Sequence, residues 1–319
     1  MLNYCNKYIA ILFVFSIISG CSSVSNAQLT TPVVPHSAAP APAFQNVLNF
    51  CGKDVNLDRA DLFERFDREL ISMVYGHSST LLMLKRANKY FPVMAPILEA
   101  NGIPKDVLYL ACIESTLNPR AYSPAKAAGI WQFIPATAKQ YGLEVNDEVD
   151  ERYNLEKATA AACKYLKSAY RKFGDWPTVM ASYNSGLTRI STELEKQQQK
   201  SSFDLYLNEE TSRYVFRVMA LAQIFVNPQS FGFILAPEQF YYPAEYEKVT
   251  VDTEVEDWPQ WAIDHGITFA QLREHNPWIR SKKLTNKNAK TYTVLIPKKE
   301  SLYRSTVDRK LFDSRWAAQ

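Results

Sequence analysis

Residues 102–115 read GIPKDVLYLACIES, and the fold turns on how this stretch is arranged. Gly102-Ile103-Pro104 opens a helix, because proline suits a first turn where its missing N–H is no loss. Val107, Leu110 and Ala111 then fall on one face, and Glu114 continues that face three, four and seven residues on. A carboxylate in a core-facing stripe is desolvated, which raises its pKa. Asn118-Pro119 ends the helix just beyond, and the partial negative charge of a helix C-terminus acts in the same direction. A carboxyl held protonated near neutral pH is what a general acid requires. The spacing leaves a second reading open, in which Glu114 is a helix-end residue tilted into solvent.

Outward from this stretch, residues 57–226 are mainly helical. Between 61 and 74, Leu62, Phe66, Leu70 and Met73 or Val74 form one stripe. Ala158, Ala162, Tyr165, Ala169 and Phe173 repeat the pattern, and a further helix from about 210 to 226 ends at Asn227-Pro228. After Pro237 the texture changes. Residues 247–252, EKVTVD, and 291–296, TYTVLI, read as strands, with short helices near 257–265 and 268–274 between them. The fold class is therefore mainly α, with a small βααβ module at the C-terminal end.

Ordered blocks follow Glu114-Ser115: Ser123-Pro124-Ala125, Gly129-Ile130-Trp131-Gln132-Phe133, Pro135-Ala136-Thr137-Ala138, Asp150-Glu151-Arg152-Tyr153, Ala181-Ser182-Tyr183-Asn184-Ser185-Gly186 and Glu210-Thr211-Ser212-Arg213-Tyr214-Val215. In this order they resemble the lytic murein transglycosylases of the soluble-lytic-transglycosylase superfamily, a lysozyme-like helical fold, and most of all the membrane-bound D-type enzymes. The resemblance covers roughly residues 57–235. It implies Glu114 as the catalytic acid and base, with Ser115 beside it fixing its orientation. It places Gln132 against substrate N-acetyl groups, in a Gly-Ile-Trp-Gln variant typical of the D-type enzymes. Tyr183 and Asn184 match a substrate-binding Ala-Tyr-Asn motif in which Ser182 replaces the alanine, and Tyr214 matches a tyrosine that approaches the carboxylate from a later helix. Core packing is the other reading for both tyrosines.

The implied chemistry explains why one acid is enough. Hydrolytic glycosidases ordinarily use two carboxylates. In the lytic reaction the muramic C6 hydroxyl attacks C1 of its own ring, so no water is consumed and a 1,6-anhydro sugar forms. The implied partner is the peptidoglycan glycan strand, and no cofactor is called for. The acidic segment with Glu144, Asp147, Glu148, Asp150 and Glu151 is the one place for a hidden second carboxylate; the competing reading makes Asp150, Glu151 and Arg152 a salt-bridge and capping set. A lysozyme-type hydrolase and a catalytically silent glycan-binding lipoprotein are the alternative functions.

Residues 247–297 resemble a diverged LysM module, in the two strands and in His265-Gly266-Ile267-Thr268, Leu272, Asn276-Pro277 and Ile296-Pro297. The Gly-Asp-Thr-Leu usual after the first strand is replaced by Glu254-Val255-Glu256-Asp257-Trp258. The resemblance implies that the module touches glycan or helps dock the catalytic domain; a structural appendix is the other reading. Residues 1–20 read as a lipoprotein signal peptide: the apolar run YIAILFVFSIISG is 13 residues, short of the ~20 that a bilayer span needs. Ile18-Ser19-Gly20-Cys21 resembles a lipobox, which implies Cys21 as the lipidated, membrane-bound first residue; an uncleaved anchor with an incidental cysteine is the other reading. Ser22 then points to the outer membrane, facing the periplasm of a Gram-negative cell. Residues 21–50 are read as lipidated cysteine and flexible tether, 51–236 as the catalytic domain with an N-terminal helical arm, 237–300 as the LysM-like module and 301–319 as a charged tail.

Composition excludes other classes. With 36 Lys and Arg against 33 Asp and Glu in 319 residues, the formal charge is +3, too little for a nucleic-acid partner. Neither GxGxxG nor GxxxxGK[ST] occurs, and His36, His77, His265 and His275 form no zinc-ligand pair, so no metal is expected. Aromatics are 13% of the chain, which suits ring stacking on uncharged ligands. Cys51, Cys112 and Cys163 remain after export; the last two read as small core residues, and a pairing of Cys51 with either stays open.

Overall fold

The computed structural model describes residues 41–318; the leader, Cys21 and most of the tether lie outside the described residues. A short hairpin, β1 Val47–Phe50 and β2 Lys53–Asn56, comes first. The expected tether therefore ends earlier than residue 50, because Leu48 and Phe50 are buried and Phe44 packs on Phe66. Helices α1 Ala60–Tyr75, α2 His77–Ala100 and α3 Val107–Ser115 follow. Next come α4 Pro135–Gln140, α5 Leu155–Phe173, α6 Trp176–Ser185, α7 Leu187–Lys196 and α8 Glu209–Val226.

Helix α3 starts at Val107, three residues after Pro104, which instead accepts the Val107 N–H in a lead-in turn. It is buried on more than one side: Val107, Leu108, Leu110, Ala111 and Cys112 are all at most 1% exposed. A helix apolar all round sits in the middle of a helical domain, and α2 and α8 pack against it. Thr116 and Leu117, at φ 54° and 53°, end α3 in the left-handed region, and Thr116 donates its N–H to the Cys112 carbonyl. Arg86 of α2 grips the Thr116 carbonyl at 2.9 Å. The fully buried carboxylate of Glu69 receives Arg213 at 2.7 and 3.1 Å and thereby locks α1 to α8. Cys51, Cys112 and Cys163 are buried free thiols.

The C-terminal module follows the expected order: β3 Tyr246–Val251, α9 Trp258–Asp264, α10 Phe269–His275 and β4 Tyr292–Pro297. β3 and β4 pair antiparallel, from Tyr246 opposite Pro297 to Val251 opposite Tyr292. Buried Asn276 completes the sheet edge, donating to and accepting from the Leu295 backbone at 2.8 Å each way. The module's core of Trp258, Leu272, Trp278 and Val294 runs on into Ala128, Val149 and Tyr153 of the helical domain. The Asp150 N–H donates to the Trp278 carbonyl and the Arg280 N–H to that of Glu148. Glu144, Glu148, Asp150 and Glu151 are engaged at or beside this junction, with Tyr292 and Lys290, Thr285, Arg152 and Lys157 respectively.

The terminal segment is more than a charged tail. Trp316 is 2% exposed, stacks edge-on to Phe225 and Phe91, and donates its indole N–H to the Phe225 carbonyl at 2.9 Å. Charge density hid one buried ring that anchors the whole segment. Trp316→Ala is expected to lower unfolding free energy by about 3–5 kcal/mol, read by urea denaturation; a loss near zero would place the ring outside the core.

Candidate active site

Four elements meet around Glu114, which stands in the last turn of α3 and keeps part of its surface open. Its carboxyl accepts a short hydrogen bond from the Tyr214 hydroxyl, brought by α8 from 100 residues away. Burial pushes the Glu114 pKa up to about 7. The Tyr214 hydrogen bond and the Arg217 guanidinium pull it down, and Glu210 pushes it up. Burial wins because the end of α3 is enclosed by apolar groups and tyrosine rings. Tyr165 and Tyr183 stand close enough to feel the Glu114 charge, edge to face with centroids 5.1 Å apart.

The loop after α3 is held from three directions. Ser115 donates its hydroxyl to the Ile130 carbonyl at 2.8 Å, and Tyr183 of α6 donates to the next carbonyl, Trp131, at 2.7 Å. Ser115 thus bonds the loop backbone rather than the Glu114 carboxyl. From behind, the buried Arg152 guanidinium donates to the carbonyls of Lys126 at 2.6 Å and Phe133 at 3.0 Å, while Asp150 fixes it at 2.9 and 2.7 Å. Contact is so close that Gly129, at φ +74°, has no room for a Cβ; one would stand 2.1 Å from the Arg152 carbonyl oxygen.

Gln132 is left-handed, at φ 49°, and donates its amide to the Gly129 carbonyl at 2.7 Å. A non-glycine residue in that region is a strain the surrounding bonds must hold. The structure brings Gln132 to the loop's rim, half-buried, without a bond to Glu114. Trp131 is fully enclosed, its indole N–H given to Thr159 at 2.9 Å, so it is core rather than a ligand platform. Asn184 lies at the end of α6, accepting from Thr211 at 2.9 Å and donating to Glu210 at 3.5 Å.

Three neighbours escaped the sequence reading: Tyr165, Glu210 and Arg217. Glu210 and Arg217 lie four residues before and three after Tyr214, hence on the same face of α8, so helical spacing carried the signal. Tyr165 looked like one more apolar repeat on α5. Removing the Tyr214 donor is expected to raise the Glu114 pKa further, by about one unit in Tyr214→Phe. Carbon-13 NMR titration of the Glu114 carboxyl reads this directly, and an unchanged or lowered value would contradict the bond's role.

Residues 95–205 match the Transglycosylase SLT domain and residues 247–300 the Soluble lytic transglycosylase C-terminal LysM-like domain. The chain thus carries an SLT domain followed by a LysM-like domain. Membrane-bound lytic murein transglycosylase D of Escherichia coli K12 is 30% identical over 252 residues, spanning 75% of this chain and 52% of that protein. The chain therefore spans about half the length of that relative. Peptidoglycan transglycosylase gp16 of Escherichia phage T7 is 35% identical over 128 residues, 39% of this chain and 10% of that protein. The 70 kDa soluble lytic transglycosylase of Escherichia coli aligns at 22% identity and TM-score 0.38, covering 50% of this chain and 28% of that one.

Proposed function

We propose that this chain, an SLT domain joined to a LysM-like module, is a lytic murein transglycosylase. It would cleave the β-1,4 bond between N-acetylmuramic acid and N-acetylglucosamine without consuming water. The observation that carries the reading is the Glu114 carboxyl, raised to about 7 and hydrogen-bonded by Tyr214 beside a braced loop. Protonated Glu114 gives its proton to the departing glycosidic oxygen. The muramic C6 hydroxyl then attacks C1, and the Glu114 carboxylate takes that hydroxyl's proton, closing the 1,6-anhydro ring. Both reacting groups belong to one sugar, which supplies the proximity advantage. The Tyr214 hydroxyl stabilises the carboxylate between the two transfers. Gln132, Tyr183 and Asn184 bind or orient the glycan from the loop and α6.

A hydrolytic reading has one observation in its favour. Glu210 is exposed and near enough for its charge to act on Glu114, so it is the candidate second carboxylate. Glu144, Glu148, Asp150 and Glu151 are taken up at or beside the module junction and do not compete for that role. Mass spectrometry of products from purified peptidoglycan separates the readings: anhydro-ended muropeptides support transglycosylation, and reducing ends overturn it. Glu114→Gln is expected to lose turnover by several orders of magnitude with the fold retained. The acid must start protonated, so kcat/KM should fall as pH rises through about 7. Retained activity in Glu114→Gln would remove Glu114 from the reaction.

Membrane attachment through Cys21 and an outer-membrane, periplasm-facing location complete the proposal. Among the described residues no helix is long and apolar enough to cross a membrane. Cys21→Ser is expected to move the protein from the membrane pellet to the soluble fraction, read by fractionation and immunoblot.

A further inference from the structure

Between α2 and the C-terminal module lies a cavity of about 260 Å³. Lys89 and Tyr90 of α2, Tyr246 of β3, His275, Trp278 and Ile130 line it. Its charges are mostly satisfied. Arg152 is paired with Asp150, Lys157 with Glu151, Lys248 with Glu156 at 3.6 Å, and Glu274 with Arg120. The His275 Nδ1 meets the Tyr246 hydroxyl at 3.1 Å, and burial with the nearby Lys89 charge lowers its pKa, keeping the ring neutral.

Lys89 has a counter-charge nearby in Glu274 but no hydrogen bond to it. Among the described residues neither its ammonium nor the Tyr90 hydroxyl has a hydrogen-bond partner, although both are half-buried and Lys89 Nζ stands 5.4 Å from the Tyr90 ring centre. The Glu274 carboxylate lies near enough for its charge to act on Lys89 without bonding it, so the ammonium keeps donors free for an anion that enters the cavity. Aromatic walls with a few unmet polar groups are the lining of a small-ligand site, and the volume suits one N-acetylated monosaccharide.

We propose that this cavity is an accessory site for a carboxylate-bearing sugar, with the free lactyl carboxylate of a muramic residue on Lys89 and Tyr90 and its ring against Tyr246. The inference rests on the peptidoglycan reading and adds to it a site that distinguishes a bare muramic carboxylate from one capped by peptide. The cavity also adjoins the catalytic loop. Ile130, whose carbonyl receives Ser115, forms part of its wall, and Pro119, just after α3, forms another. An occupant braces the backbone that receives Ser115 and couples the module to the catalytic domain.

The test is calorimetric titration of the full chain carrying Glu114→Gln, with N-acetylmuramic acid and N-acetylglucosamine as separate probes. N-acetylmuramic acid is expected to bind about tenfold tighter or more, the scale of one charged hydrogen bond. Adding Lys89→Met should erase that preference, and Lys89→Arg should keep it; Tyr90→Phe should weaken it in part. Thermal melting establishes that each variant is folded, and should Lys89→Met fail, Tyr90→Phe decides. Equal binding of the two sugars overturns the proposal. So does a preference that survives Lys89→Met, which would place the carboxylate elsewhere on the protein. Anhydro products from the parent chain, with either of these outcomes, would sink this site alone and leave the transglycosylase reading standing.

Discussion

The guanidinium of Arg152 is the point on which the remaining geometry depends. It is 5% exposed, paired to Asp150 and hydrogen-bonded to the carbonyls of Lys126 and Phe133. A buried ion pair of this kind is unfavourable unless its remaining donors are used, and here they are used to shape one loop. The same short segment turns outward to the module through the Asp150 N–H and through Tyr153, over whose ring Arg280 stands at 4.5 Å. One tetrapeptide therefore fixes the 126–133 loop on one side and the domain junction on the other. The tight approach of Gly129 to the Arg152 backbone follows from that double duty.

Glu114 draws its chemistry from where α3 lies. A helix whose apolar residues cover more than one face must be central, and its last turn then holds Glu114 partly buried rather than on the open surface. The carboxyl is thus desolvated by the same packing that stabilises the domain. Tyr214 tempers that cost by a hydrogen bond to the ionised form, so the pKa stays near neutrality and the group can both give and take a proton. The two left-handed residues that follow α3 turn the chain out of the helix just after the acid.

Much of the site was legible because its residues carry local patterns. Glu114 continues an apolar stripe, Pro, Gly and Asn mark turns, and β-branched runs mark β3 and β4. Other features have no such local signature. Helix α2 runs through Pro92 and Pro96, which by local rules would break it; packing against α3 and α5 outweighs the lost backbone bonds. Trp316 lies in a charged segment, and its burial depends on a slot between α2 and α8 that exists only after folding. The hairpin strand Val47–Phe50 follows a proline-rich stretch, and it is the packing of Phe44 on α1 that orders it.

The sequence by itself determined the mainly helical domain, the βααβ module and the acid at the end of a buried helix, since each is written in periodicities spanning a few turns. The tertiary structure alone decided which partners meet that acid. Tyr214 reaches Glu114 across 100 residues, and Tyr165, Glu210 and Arg217 gather with it. It also decided that the acids near 150 serve the junction. Hydrogen bonds and desolvation act over a few ångströms in space, whereas sequence spacing constrains space only within one element. Between elements, packing sets the distances.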